Sequence, residues 1–132
     1  MLRCVYRSAL IALMALPALP AGHALAQQPR AFPANALRGE LLLVQPPDAL
    51  LNGSPVRLAP GARIRGQNNL LQMSAALVNA ELLVHYTLDP YGLLLNVWVL
   101  TPEEAARKPW PTSFEQAQRW SFDAAAQSWV RR

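Results

Sequence analysis

His85 is the one histidine beyond residue 26, and imidazole is the side chain whose ordinary pKa suits proton transfer near neutral pH. As a catalytic base it would need a nucleophile beside it and a carboxylate to orient its ring. Ser54 and Ser74 supply hydroxyls, but neither stands in a G-x-S-x-G turn. As a metal ligand it would need two or three companions, and no second histidine and no cysteine follows residue 26. No metal site and no cofactor is therefore expected. The plainer reading makes His85 a strand residue, opposite Asn96 and beneath the C-terminal tail. A small periplasmic hydrolase built on His85 is the alternative to a binding role.

The carboxylates are scattered. Asp89 belongs to a turn, and Glu104 and Glu115 sit where helix caps are expected. Glu40, Asp48, Glu81, Glu103 and Asp123 remain. Two of them would make the acid–base pair of a glycosidase, yet no spacing brings two together.

Arg57, Arg63 and Arg65 are the best candidates for a surface with a purpose. Arg63 and Arg65 flank Ile64 and project from one face of a strand, with Arg57 on a neighbouring strand. Guanidinium groups on one face suit an anionic partner: a lipid head group, a cell-wall polymer or an acidic protein. The bland reading is a solvated barrel surface with arginine stems lying over apolar neighbours. Trp110, Trp120 and Trp129 crowd the C-terminal end, where packing of the tail is a simpler account than sugar stacking.

These residues stand in a chain with an address at its front. Arg3 and Arg7 precede an apolar run at residues 9–16, Pro17 and Pro20 break it, and Ala24-Leu25-Ala26 has the form of a cleavage site. Together they predict a signal peptide over residues 1–26, cut near Ala26, and a periplasmic or secreted protein. The run is too short to span a bilayer. The only cysteine, Cys4, lies inside the signal, so the mature chain has no disulfide and relies on its apolar core. The formal charge of +4 is partly the signal's, since ten Lys and Arg face eight Asp and Glu after it. That balance is too weak for a nucleic-acid footprint.

Residues 27–37 are polar and proline-bearing and read as a flexible N-terminal arm. Residues 38–101 carry strand and turn signals. Residues 39–45 form a first strand that ends at Pro46-Pro47. Asn52-Gly53 predicts a type I′ hairpin, and Pro60-Gly61 predicts a turn between strands at 54–59 and 62–66. Residues 70–73 suggest a short strand, and 74–80 a helical turn or crossover. Asp89-Pro90-Tyr91-Gly92 predicts a type I turn. A regular hairpin on it opposes Leu88 to Leu93, His85 to Asn96 and Leu83 to Trp98. Its core face then holds Leu82, Val84, Tyr86, Leu88, Leu93, Leu95, Val97 and Val99.

Thr101-Pro102-Glu103-Glu104 has the form of a capping box, and Thr112-Ser113-Phe114-Glu115 repeats it. Two short helices are expected at 102–107 and 113–120. Residues 122–129 fit either a hairpin or a further helical turn. This extension, 102–132, should pack back on the half-apolar face that carries Leu83, Leu94 and Trp98.

The order of three strands, a helical element and two strands predicts a mainly β fold. We expect a small closed or partly open barrel of five or six strands, OB-like, with short C-terminal helices packed on it; an SH3-like barrel is the alternative. The succession GELLLVQ, LLNGSPVRLAPGARIRG and AELLVHYTLDPYGLLLNVWVL resembles uncharacterised secreted bacterial proteins with small OB-like barrels. The resemblance covers residues 38–101 and rests on turns and core pattern. It implies a fold and no catalytic residue. The expected function is that of an exported, non-enzymatic module. It binds an envelope component or protein, anionic in character, through Arg57, Arg63 and Arg65.

Overall fold

The computed structural model describes residues 29–132. The export signal read at residues 1–26 lies outside the described residues. No helix among the described residues is long and apolar enough to cross a membrane.

Six strands form one mainly β sheet: β1 (Leu37–Gln45), β2 (Asp48–Leu51), β3 (Ser54–Arg65), β4 (Leu71–Gln72), β5 (Glu81–Leu88) and β6 (Leu94–Val99). Their order is β2-β1-β5-β6-β3-β4, and a further β2–β3 pairing closes the first five into a ring. All pairs are antiparallel except β3–β6. A parallel pair needs a crossover, and a 3₁₀ turn at Ser74–Leu77 lies on the connection. This is the OB-like order, with the third and last strands of the ring side by side.

Local chemistry sets the corners. Asn52 and Gly53 take φ of 51° and 80°, as a type I′ turn demands. At the β5–β6 turn Asp89 Oδ1 accepts from the amides of Tyr91 and Leu93, both at 2.9 Å. Alternation then turns Leu41, Leu43, Ile64, Val84, Tyr86, Val97 and Val99 into one buried cluster inside the ring.

Several local expectations need correction. The β5–β6 hairpin opposes His85 to Trp98 and Thr87 to Asn96 rather than His85 to Asn96. The register sits two residues from the expected one, so both faces of β5 keep their character. An irregularity between Thr87 and Leu88 then reverses the far end. Leu94 turns inward at 0% exposure, and Leu95 turns outward at 37%. Pro60-Gly61 is not a turn between two strands. It lies inside the single long β3, at a break in the β3–β6 register between Leu58 and Arg63.

The chain from Arg30 to Ala36 is no free arm, because Phe32 and Ala36 are buried and Arg30 is held by hydrogen bonds. Arginine and proline in that stretch read as solvated, yet Phe32 gives it an apolar anchor.

The extension holds α1 (Pro102–Ala105), α2 (Phe114–Arg119) and a hairpin of β7 (Trp120–Asp123) and β8 (Ser128–Arg131). The capping box at Thr101 and Glu104 forms in full. The second cap starts one residue later than expected, with Ser113 accepting from Gln116 N. The three alanines at 124–126 form the β7–β8 turn, where Asp123 Oδ1 accepts from the amides of Ala125 and Ala126. A second buried cluster of Phe32, Ala36, Leu100, Trp110 and Trp129 joins this extension to the barrel.

Candidate functional site

Strand pairing lays one row of side chains across the outer face of the barrel. Arg38 on β1 stands beside His85 on β5, His85 beside Trp98 on β6, and Trp98 beside Arg65 on β3. Paired residues project to the same side. One end of this row is covered by the tail and the other is open.

The covered end is a sealed polar cluster. His85 is 0% exposed. Trp110 stacks on its ring at 4.1 Å between centroids, and Phe32 meets it edge-on at 4.4 Å. Arg38 Nε donates to His85 Nε2 at 3.2 Å, which assigns the ring proton to Nδ1. The same guanidinium donates to the carbonyls of Glu104 and Ala105, at 2.9 and 3.1 Å. It thus binds two carbonyls at the C-terminal end of α1, of which that of Glu104 also accepts from Arg107 N. Arg30 forms a two-pronged pair with the Glu104 carboxylate and donates to the carbonyls of Gly66 and Val99. Glu104 Oε1 also accepts from Thr101 N at 2.9 Å. One carboxylate therefore joins the N-terminal segment, the barrel and α1.

Burial, and then the charges of Arg38, Arg30 and Arg107, push the His85 pKa down to about 3. Burial likewise lowers Arg38, reinforced by Arg107 and opposed by Glu104. For Glu104, burial raises the pKa, but the Arg30 hydrogen bonds and the Thr101 amide outweigh it and hold the carboxyl below the usual range. A neutral, enclosed His85 with so low a pKa has neither the access nor the basicity of a general base.

This cluster ties stability to pH. The unfolded chain protonates His85 near pH 6.5, whereas the folded chain does so only near pH 3. The folded state is therefore favoured fully above pH 6.5. It loses about 1.4 kcal/mol for each pH unit as the pH falls toward 3. Denaturant unfolding between pH 6.5 and 4.5 should show this slope, and His85→Gln should flatten it. Equal slopes in the two proteins would contradict the burial assigned to His85.

The candidate arginines divide. Arg57 lies on β3 itself, not on a neighbouring strand, opposite Asp48 on β2. Its Nε is 3.2 Å from Asp48 Oδ1, and both side chains are exposed. It lines a shallow cleft of about 390 Å³ with Pro47, Leu58, Ala59, Pro60 and Leu93, between the β1–β2 and β5–β6 turns. Arg63 and Arg65 stand together at the open end of the row, on either side of the inward Ile64. Among the described residues neither forms an ion pair with a carboxylate; Arg65 Nη1 makes only a 3.4 Å contact to the Asn69 carbonyl. Arg57 lies six positions before Arg63 along β3 and differs from it in having a carboxylate partner, Asp48.

Residues that sequence reasoning missed complete the open end. Leu70, Leu71 and Met73 are 64%, 63% and 79% exposed, an apolar ledge beside the two arginines. Leu-Leu-Gln-Met signals a strand in the sequence, and only the barrel shows that no element among the described residues covers it. Arg30, Arg38 and Glu104 were missed as a cluster because their meeting depends on long-range pairing. A comparison with protein-family models, curated proteins and solved structures finds no match to this chain.

Proposed function

We propose that this protein is an exported, non-enzymatic OB-like module that binds an anionic envelope component or protein through the outward face of β3. Arg63 and Arg65 are its main contacts. Export rests on the sequence of residues 1–26, and the resemblance to secreted bacterial proteins rests on the turns and core pattern of residues 38–101. The observation that carries the reading is the pair Arg63 and Arg65: two guanidinium groups on one face, with no carboxylate partner among the described residues, beside an uncovered apolar ledge. Arg57 contributes less, because Asp48 already neutralises it. The hydrolase alternative draws no support from His85, whose ring is enclosed by Phe32 and Trp110.

Binding of fluorescent polyglutamate to the protein tests this reading. Anisotropy titrations should show affinity falling as salt rises from 50 to 200 mM, since exposed charges are screened over about 10 Å at 0.1 M. The double variant Arg63→Ser, Arg65→Ser should lose most of that affinity. Its melting temperature should stay within a few degrees of the parent, because Arg63 is exposed, Arg65 is half-buried and neither is ion-paired among the described residues. Undiminished binding by the double variant would remove Arg63 and Arg65 from the function.

A further inference from the structure

Among the described residues β4 is the end strand of the sheet and pairs with β3 alone, through Ile64 opposite Gln72 and Arg65 opposite Leu71. Gly66 N donates to Leu70 O at 3.0 Å, one of the two bonds of a hydrogen-bonded pair, while Gly66 O accepts from Asn69 N in the turn. Such pairs alternate along an antiparallel ladder. Arg65 and Leu71 are therefore a non-bonded pair, and the N–H and C=O of Leu71 point away from β3. The Met73 N–H points the same way, while its carbonyl is taken by Ala76 N at 3.0 Å. An open strand edge flanked by exposed Leu70, Leu71 and Met73 is a template for another strand.

We propose that the partner is an extended acidic segment of a protein, which adds to the barrel as a strand along β4. This rests on the reading of Arg63 and Arg65 given above and names the chemistry of the partner. Leu71 projects to the same outward side as Arg65, and Met73, two residues on in extended conformation, follows it to that side. An added strand would lie about 10 Å from β3, two strand spacings away. Outward glutamates on it lay their stems over Leu71 and Met73 and bring their carboxylates to the guanidinium groups. The intervening residues face the other side, beside Leu70 and Gln72, and are apolar or β-branched. A second copy of this chain fits less well, because pairing β4 with β4 about a two-fold axis brings Arg63 and Arg65 of both copies together.

The test uses a labelled peptide of alternating valine and glutamate, with dextran sulfate as an anion that cannot form a strand. Leu71→Pro removes the outward N–H and leaves the β3 ladder intact, since proline is tolerated on an edge strand where its nitrogen faces solvent. Met73→Pro is a second such variant, and Met73 already has φ of −79°. Leu71→Ala keeps the N–H and controls for the side chain.

The peptide should bind the parent, and each proline variant should weaken it at least tenfold. Leu71→Ala should weaken it less than Leu71→Pro, and dextran sulfate binding should be unchanged in all three. Circular dichroism confirms that each variant is folded. Peptide binding by both proline variants equal to that by Leu71→Ala would overturn strand addition, and the anion-binding reading would stand. Failure of the parent to bind the peptide while it binds dextran sulfate would do the same. A dimer in sedimentation that Leu71→Pro dissociates would make the occupant a second copy and overturn the proposal. Loss of both ligands on Arg63→Ser, Arg65→Ser with retention of dextran sulfate by the proline variants separates the two claims.

Discussion

Replacing Glu104 with alanine is expected to cost about 3–5 kcal/mol of stability, the usual cost of breaking a buried ion pair from one side. The carboxylate is buried, and it is the one acidic group amid Arg30, Arg38 and Arg107. Its removal leaves the Arg30 guanidinium enclosed without its counter-charge and deletes one of the two bonds of the α1 capping box, that from Thr101 N. Arg30 keeps its bonds to the carbonyls of Gly66 and Val99, which moderates the loss. Urea unfolding at pH 7 measures the change. The lowered pKa of Glu104 gives it a signature in acid as well. Its contribution is complete above the ordinary glutamate pKa near 4.3 and is lost as pH falls through the lower folded value. The parent should therefore lose its advantage over Glu104→Ala in that range. A cost below about 1 kcal/mol at pH 7 would mean that the pair is solvated and that the N-terminal segment is not fastened there.

The second large effect concerns the barrel interior. Val97 is 0% exposed, and β6 holds it opposite Tyr86 and beside Ile64. Val97→Asp buries a carboxylate with no partner, a cost that rivals the ~5–15 kcal/mol total stability of a small domain. No cooperative thermal transition should remain. Leu95→Asp is the informative companion. A regular hairpin places Leu95 in the core, whereas the irregularity at Thr87 and Leu88 turns it outward. Leu95→Asp should therefore fold and melt within a few degrees of the parent. Collapse of both variants would contradict the observed register.

That contrast shows where the sequence is legible. Asn52-Gly53, Asp89 and the Thr101–Glu104 box state their geometry locally, because positive φ, an Asx turn and a reciprocal cap each need only neighbouring residues. Alternation along β5 likewise names its core face. The extra residue near Leu88 carries no local mark, so the far end of the hairpin was misplaced. Long-range closure is equally silent. Nothing near Arg38 in sequence says that His85 will stand beside it, or that Glu104 will meet Arg30. Charged residues are expected at the surface, and these escape that rule because Arg30 and Glu104 pair with each other while Arg38 is held by His85 and two backbone carbonyls. Among the candidate arginines, alternation around the buried Ile64 places Arg63 and Arg65 on one face. The continuity of β3 through Pro60-Gly61, which puts Arg57 on the same strand, has no local signal, because Pro-Gly reads as a turn.

An acidic partner is proposed to sit on β3 and β4 rather than in either of two apolar grooves. One groove is the cleft at Pro47 and Leu93; the other, of about 360 Å³, lies at Leu37, Phe114, Trp120 and Phe122. Amide chemical-shift mapping of the isotope-labelled protein with polyglutamate decides among them directly. The expected shifts are confined to residues 63–73, with Arg63, Arg65 and Leu71 moving most. Shifts centred on the cleft, centred on the aromatic groove, or spread evenly over every exposed arginine would contradict the account.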